Sequence, residues 1–460
     1  MSLHARIVVS LSLLGFVLAA QSQQPAPGGP QAPRPGGPNL GVAFAPAQTD
    51  RYHADLVKLG GAASDGLLFT PAVPNANPRI AIVTTYGPPA VELAGRGYRV
   101  LLVRHQNKPG EVATPFNGFE EISRAIAYAR TLAGVQRVAV LAWGTGSTTM
   151  ILYVDVALHG PSACRQKNVI YPCTTEQATG LAKPDGIVLL DPGSGAGLKV
   201  TNVNPAYENA TTRKADLDLF AAANGYDIAT GTATYSPAFR KRYFAAQSAR
   251  YNQAIDQAVA RLKVLDQAGA GADEPLSIPA VVASQGGSLH STDLTLLSHT
   301  KQAHPLLKAD GTTPSVIIHS IRPAGGPKSD DALNKLYAQY EHPRDNETLR
   351  QFLANDALRT TKDYALTETD MVGIDWKSSN AAEPAHAEGI TVPTLVLTNT
   401  CFQFVVPSEI VFDHIAAKDK SYAGVEGSEH FFTPCKPEFG DTKKRLFDYV
   451  DGWLAKAGRF

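Results

Sequence analysis

Residues 138–150, VAVLAWGTGSTTM, decide the predicted fold, because an unbroken apolar strand runs into a turn of small residues and then into a helix. Such a turn lifts one side chain out of a sheet and points a helix N-terminus at the negative charge that forms beside it. The pattern small-x-Ser-x-small, placed on residues 145–149, makes Ser147 the candidate nucleophile, although a serine here could equally cap the helix. Threonines replace the expected glycines, and a shifted register would put Thr145, Gly146 or Gly144 at the nucleophile position.

Strands and helices alternate on both sides of this stretch. Strands are predicted at residues 80–85, 98–103, 138–143, 186–190, 394–398 and 422–425. Helices are predicted at residues 91–96, 120–133, 148–158, 408–416 and 442–457. Buried strands that alternate with helices form a parallel sheet covered on both faces, so the fold class is α/β. A hairpin at residues 56–59 and 66–70 is expected to open the domain.

The alternating pattern stops for nearly two hundred residues in the middle of the chain. Residues 236–268 carry apolar and aromatic side chains at steps of three and four, which predicts a long amphipathic helix that packs on another element. We expect residues 192–389 to form a large, mainly helical cap over the C-terminal edge of the sheet. The core would then consist of residues 40–191 and 390–460.

The N-terminus is typical of an exported protein. Residues 1–20 place a histidine and an arginine before a short apolar run that ends in small residues, which indicates a cleaved signal peptide. Residues 21–39 are rich in Gln, Pro and Gly, and are expected to be a disordered linker. No later segment approaches the ~20 apolar residues of a membrane span. The predicted location is therefore extracellular or periplasmic.

Composition and glycine-rich turns exclude several classes of partner. The chain carries 42 basic and 42 acidic residues, which argues against binding to nucleic acid or an anionic membrane through bulk charge. The basic cluster at residues 240–242 is expected on a solvated helix face. Neither glycine-rich turn, at residues 144–146 or 193–197, completes a dinucleotide-binding pattern, and no Walker A sequence occurs. No cofactor is predicted.

Four cysteines in an exported chain favour two disulfides, for which three connectivities exist. Proximity in the sequence suggests Cys164 with Cys173, which leaves Cys401 with Cys435. No Cys-x-x-Cys spacing indicates a metal site. Sequons at Asn209 and Asn346 predict surface loops.

One histidine near the C-terminus has a specific context. The segment Val425-Glu426-Gly427-Ser428-Glu429-His430 follows the last predicted strand and precedes the last predicted helix. With the strand-turn-helix element and the interrupted alternation, it resembles the capped α/β-hydrolases, in which a Gly-x-x-His turn after the last strand delivers the catalytic histidine. The resemblance covers residues 80–191 and 394 to the C-terminus, and it implies that His430 is the general base.

The resemblance also guides the choice of the acid and of the oxyanion hole. The turn after the seventh strand lacks a carboxylate, whereas the sixth strand ends in Asp191, although Asp191 also begins a good turn sequence. The order Ser147, Asp191, His430 agrees with the nucleophile, acid, histidine order of this fold. The amide of Thr148 and an amide at Tyr86 or Gly87 would form the oxyanion hole.

In this arrangement the second cysteine pair lies beside the histidine. Cys401 would follow strand seven and Cys435 would follow strand eight, so their disulfide would brace the loop that carries His430. Closing a loop of this length contributes ~3 to 4 kcal/mol in the chain-entropy picture.

Together these features predict a secreted carboxylic ester hydrolase that forms an acyl-serine intermediate and acts on a small, apolar ester. Two alternatives stay open. The irregular elbow could mean that the nucleophile is lost and that the fold serves as a binding protein. In the other alternative, His430 and Asp191 transfer protons in a lyase, isomerase or cyclase reaction. The sequence contains no signal for oligomeric state.

Overall fold

The computed structural model describes most of the chain after the predicted linker. The described residues are 44–60, 65–73, 78–106, 108, 110–207, 212–269, 271–276, 287–341 and 348–460. The predicted signal peptide and linker, residues 1–39, and the sequons at Asn209 and Asn346 lie outside the described residues.

The described residues form fifteen strands and ten α-helices. The strands are β1 (Ala47–Gln48), β2 (Tyr52–Lys58), β3 (Asp65–Pro71), β4 (Ile80–Thr84), β5 (Arg99–Val103), β6 (Arg137–Trp143), β7 (Gly186–Leu190), β8 (Tyr226–Asp227), β9 (Thr232–Ala233), β10 (His299–Leu307), β11 (Ser315–His319), β12 (Arg359–Leu366), β13 (Met371–Asp375), β14 (Thr394–Asn399) and β15 (Lys420–Val425). The helices are α1 (Gly87–Ala94), α2 (Phe119–Thr131), α3 (Gly146–His159), α4 (Pro237–Ala268), α5 (Leu289–Thr292), α6 (Asp330–Glu341), α7 (Leu349–Asn355), α8 (Glu383–Ala387), α9 (Val405–His414) and α10 (Thr442–Leu454).

Eleven of the described strands form one mainly parallel sheet, in the order β1-β2-β3-β5-β4-β6-β7-β14-β15-β10-β11. The predicted opening hairpin is present as β2 and β3, which pair antiparallel with Tyr52 opposite Pro71. Strand β3 is also antiparallel to β5. From β5 to β10 every pairing is parallel, and the edge strand β11 is again antiparallel.

The central strands are buried on both faces, as their continuous apolar sequences predict. Every residue of β4, β7 and β14 is buried. Alternate side chains such as Val83 and Val140 pack in one apolar cluster with α2, α3 and α9. Successive residues of a strand point to opposite faces of the sheet, so the side chains between these point to the other face. Helices α1 and α10 pack on that face.

The long amphipathic helix of the insertion is present as α4. Ser236 caps it by accepting a hydrogen bond from the backbone N–H of Phe239 at 3.2 Å. Phe239, Tyr243 and Tyr251 are buried in an apolar cluster that includes side chains of β12 and α7. This stripe therefore forms the core of the insertion.

The insertion also contributes to the central sheet, which the sequence pattern does not predict. Strand β10 pairs in parallel with β15, with Leu306 opposite Gly424, and β11 extends the sheet by one more strand. Most of β10 is polar, HTKQAH followed by a proline, so it lacks the apolar run that marks the other strands. The proposed cap boundaries at residues 192 and 389 thus enclose two strands of the sheet.

Within the part of the chain that the structure describes, no helix has the length and apolar character needed to cross a membrane.

Candidate active site

The turn after β6 places glycine where the fold lifts a side chain out of the sheet. Strand β6 ends at Trp143, Gly144 follows with φ of 54°, and α3 begins at Gly146. A Cβ atom at Gly144 would lie 2.7 Å from Nε2 of His430. The position that faces the histidine is therefore Gly144, one of the alternative registers that the sequence left open.

The predicted nucleophile Ser147 lies instead in the first turn of α3. Its backbone N–H donates to the carbonyl of Gly144 at 3.0 Å, and its side chain is fully buried. Its Oγ has no hydrogen-bond partner among the described residues, so no base is within reach of it. The geometry thus argues against the Ser147 register, because α3 begins two residues earlier than predicted.

The Gly144 register also accounts for the second glycine of the turn. A Cβ atom at Gly146 would lie 2.4 Å from Cε2 of Tyr86, far closer than carbon atoms approach. The small-x-x-x-small pattern therefore falls on residues 142–146, with Ala142 and Gly146 as its small positions.

His430 and Asp191 are in direct contact. Asp191 follows β7, is fully buried, and its Oδ2 lies 2.6 Å from Nδ1 of His430, in the loop after β15. Its other oxygen, Oδ1, accepts a hydrogen bond from the backbone N–H of Asn399 at 3.0 Å. The carboxylate accepts a hydrogen bond from the protonated Nδ1, so Nε2 is left with a free lone pair. The structure brings together these two predicted residues.

Aromatic rings hold the imidazole in this orientation. The ring of Phe402 stacks on His430 at a centroid distance of 4.5 Å and an angle of 21°, and Trp143 lies 4.8 Å away. The indole N–H of Trp143 also donates to the carbonyl of His430 at 2.9 Å. The imidazole keeps 16% of its side-chain surface exposed.

Both predicted disulfide pairings are present. Cys401 and Cys435 are bonded, which ties the turn after β14 to the loop that carries His430. The N–H of Cys401 also donates to the carbonyl of Ser428 in that loop at 2.9 Å. Cys164 and Cys173 are bonded in the segment after α3.

The amides predicted for the oxyanion hole are in part already engaged. The N–H of Thr148 donates to the carbonyl of Thr145 at 3.3 Å, and the N–H of Tyr86 donates to Oγ1 of Thr84 at 3.2 Å. With Gly144 at the elbow, the corresponding donor is the N–H of Thr145, which has no acceptor among the described residues. Gly87 is the first residue of α1 and follows Tyr86, whose ring packs against Trp143 of β6 at 5.1 Å.

Comparisons with known proteins yield only distant similarities. The sequence matches no protein-family model and no curated protein. Brefeldin A esterase, a bacterial homologue of human hormone-sensitive lipase, is 11% identical with a TM-score of 0.37, over 91% of this chain and 80% of that one. A fungal esterase from Rhizomucor miehei is 13% identical with a TM-score of 0.34, over 88% and 84%. Esterase B from Lactobacillus rhamnosis is 11% identical with a TM-score of 0.26, and this chain spans about half of its length, 51%. Similarities this weak carry no argument about function.

The strand order is more informative. Counted along the chain, β2 to β7, β14 and β15 are eight strands that lie side by side in the order first, second, fourth, third, fifth, sixth, seventh, eighth. The second runs against its neighbours. Asp191 follows the sixth strand, His430 follows the eighth, and the elbow follows the fifth. The chain has the α/β-hydrolase fold.

A cavity of about 410 Å³ lies beside His430 and Asp191, which we call the dyad. It reaches Thr145, the neighbour of Gly144, and Phe404, whose ring packs against His430 at 5.4 Å. Segments of the insertion supply much of its wall, including His290 and Glu383.

Glu383, the first residue of α8, is not predicted from the sequence. Its carboxyl group is 1% exposed and accepts hydrogen bonds from Oγ1 of Thr148 and the N–H of Ser194, both at 2.9 Å. Burial raises the pKa of Glu383 to about 7, against the opposing effect of these donors. No motif surrounds this residue in the sequence, so only the fold brings it to the elbow.

Proposed function

We propose that this α/β-hydrolase cleaves an acyl compound with water as the attacking group and without an acyl-enzyme. The observation that carries the proposal is glycine at the elbow, with a Cβ position only 2.7 Å from Nε2 of His430. A nucleophilic side chain has no room there, yet the histidine and its carboxylate partner are retained. A base without a side-chain nucleophile suits the activation of a small molecule.

In the proposed reaction, Asp191 holds the proton of His430 on Nδ1, and Nε2 removes a proton from a water molecule. The oxygen of that water attacks the carbonyl carbon of the substrate, and the carbonyl oxygen becomes an oxyanion. The N–H groups of Thr145 and Gly87 are the proposed donors to this oxyanion. When the intermediate collapses, the bond to the leaving alkoxide breaks, and the imidazolium returns its proton to that oxygen.

The arrangement around His430 supports catalysis more than simple ligand binding. A buried carboxylate such as Asp191 costs several kcal/mol of desolvation unless it is well paired. Here it is paired with an imidazole that stays partly exposed and whose Nε2 has no hydrogen-bond partner among the described residues. A protein that only bound a ligand would have no need for such a base.

We also propose that the protein works outside the reducing cytosol. Two disulfides, one of them beside His430, support this location. The pattern of residues 1–20 is that of an export signal.

The test is turnover of p-nitrophenyl acetate by the purified protein, measured with and without prior treatment with a fluorophosphonate. We expect turnover that survives the treatment, and no adduct by mass spectrometry. His430→Ala should lower kcat/KM by about 10²-fold to 10⁴-fold, the usual contribution of a general base. Ser147→Ala should change it less than about threefold, as should the matched control His319→Ala on β11.

An adduct on Ser147 that abolishes turnover would restore the acyl-serine mechanism. Folded protein that turns over no ester would favour the binding protein or the lyase, isomerase or cyclase alternative.

A further inference from the structure

We infer that the cavity beside the dyad binds a neutral, polyhydroxylated group, and that His290 accepts a hydrogen bond from one of its hydroxyls. Binding of such a group does not depend on the proposed function. Only the further step, that the group is part of the substrate, rests on the proposed hydrolysis. The substrates would then be esters of sugars or other polyols, in place of the apolar esters predicted from the sequence.

The wall of the cavity is rich in neutral hydrogen-bonding side chains. Of the twenty described residues that line it, nine are threonine, serine, asparagine or glutamine. Five threonines line the cavity, Thr114, Thr145, Thr148, Thr149 and Thr201. The hydroxyls of Thr114, Thr148 and Thr201 donate within the protein, so they can accept a hydrogen bond from a ligand. A cavity of about 410 Å³ is within the range of small-molecule sites. A purely apolar ligand would leave the polar part of the wall without hydrogen bonds, whereas the larger apolar part suits the C–H faces of a ring that carries hydroxyls.

His290 supplies a specific acceptor in this wall. Its side chain is 2% exposed, and Nε2 lies 3.0 Å from the amide oxygen Oε1 of Gln403. An amide oxygen only accepts, so Nε2 carries the proton and Nδ1 presents a lone pair. Nδ1 is buried and has no partner among the described residues. A ligand hydroxyl that reaches Nδ1 would supply the missing partner of this buried acceptor.

The protonation state of His290 makes it a constant acceptor. Burial lowers its pKa to about 4, and the nearby guanidinium of Arg322 acts in the same direction. The ring therefore stays neutral at physiological pH, and Nδ1 keeps its lone pair.

The charges of the wall argue against an anionic ligand. Lys199 is paired with Asp356 at 3.0 Å. Glu383 already receives hydrogen bonds from Thr148 and Ser194. Among the described lining residues no cation is left over for a phosphate or a carboxylate, so a neutral ligand fits the wall best.

The experiment measures binding without any need for turnover. Saturation-transfer NMR on the full mature chain would use methyl α-D-glucopyranoside, methyl β-D-xylopyranoside and myo-inositol as probes. Cyclohexanol and glucose 6-phosphate are the apolar and anionic comparisons. We expect saturable binding of at least one neutral polyol and no binding of either comparison compound.

Variants connect that binding to the cavity. His290→Phe keeps an aromatic ring without its acceptor and should weaken polyol binding about tenfold, which corresponds to about 1.4 kcal/mol. The matched control His319→Phe, on the exposed edge strand, should leave binding unchanged. If His290→Phe does not fold, the isosteric Thr149→Val should still weaken binding severalfold, with Thr131→Val on α2 as its control.

The inference is overturned if no polyol binds, if His290→Phe and Thr149→Val bind polyols as well as the parent chain, or if cyclohexanol binds as well as the polyols. Polyol binding to His430→Ala separates the two proposals. If His430→Ala binds polyols but the parent chain turns over no ester, the hydrolytic mechanism alone is refuted. If the parent chain turns over ester but binds no polyol, the cavity inference alone is refuted.

Discussion

At the scale of single residues, the absence of a side chain at Gly144 determines the geometry of the candidate site. Its φ of 54° is a backbone conformation that glycine adopts without steric cost. The imidazole of His430 lies against the space that a side chain would otherwise fill. Asp191, which follows the residue whose carbonyl accepts from the N–H of Gly144, has the same φ of 54° although it carries a side chain, and is therefore strained. Such strain costs ~1 to 3 kcal/mol and persists only where the surroundings enforce it.

Gly144→Ala tests whether the empty position matters for activity. A methyl group 2.7 Å from Nε2 must push the imidazole away from its place beside Asp191. We expect kcat/KM for p-nitrophenyl acetate to fall at least about tenfold, since a misplaced base is a poor base, while the free energy of unfolding falls by about 1 kcal/mol. Gly452→Ala on α10, where a methyl meets no atom, is the control. Unchanged kcat/KM would mean that His430 is not the base.

Glu383 should make stability depend on pH. Burial raises its pKa from 4.5 to about 7, so the native state holds a proton that the unfolded state has lost between those values. The resulting stabilisation is complete below pH 4.5 and is lost as the pH rises through about 7. Its size is on the order of 3 kcal/mol.

Urea unfolding at pH 5 and pH 8 provides the measurement. Glu383→Gln should lose less stability over this interval than the parent chain does. The exposed Glu388, paired with Lys377 at 2.8 Å, gives the matched control Glu388→Gln, which should follow the parent. Equal pH dependence in Glu383→Gln and the parent chain would refute the raised pKa.

At the scale of elements, continuous apolar runs predict the strands well because burial on both faces demands them. Strand β7 is predicted to the residue, and α3 begins two residues before its predicted start. That small difference changes the site, because it moves Ser147 into a helix. His430 is found from its turn and Asp191 from its place after a strand. Glu383, His290 and β10 depend on contacts distant in sequence, for which local pattern contains no signal.

The disulfide between Cys401 and Cys435 should matter for both stability and activity. It closes 34 residues, and replacement of both cysteines by serine should cost about 3 to 4 kcal/mol in urea unfolding. Because it ties down the loop of His430, we also expect kcat/KM to fall. The comparison is the disulfide between Cys164 and Cys173, which closes only 9 residues and lies in the segment after α3. Equal losses of kcat/KM in the two double variants would contradict a role in positioning the histidine.

At the scale of the whole molecule, the insertion and the core are joined by several kinds of contact. Strand β10 pairs with β15, and the carboxyl group of Glu383 on α8 bonds to Thr148 on α3. A second link between these helices is the pair His386 and Asp155, at 2.7 Å. Contacts of this kind should make the two parts unfold together.

Tryptophan fluorescence can test this cooperativity because the chain has three tryptophans, of which Trp376 alone lies in the insertion. The variant with Trp143→Phe and Trp453→Phe reports on the insertion, whereas Trp376→Phe reports on the core. In each variant, the fluorescence midpoint in urea should coincide with that of circular dichroism, as two-state unfolding requires. Separate midpoints within one variant would show that the insertion is an independent unit.

The placement of β10 also has a consequence for self-association. Strand β15, which leads into the loop of His430, is hydrogen-bonded to β14 on one side and to β10 on the other. The pairing with β10 covers Gly424 and Val425, so the end of β15 that leads into this loop has no open backbone edge with which to recruit a strand from a second molecule. The described sheet ends instead at β1 and β11, so copies that join edge to edge would pair at those strands and not beside His430.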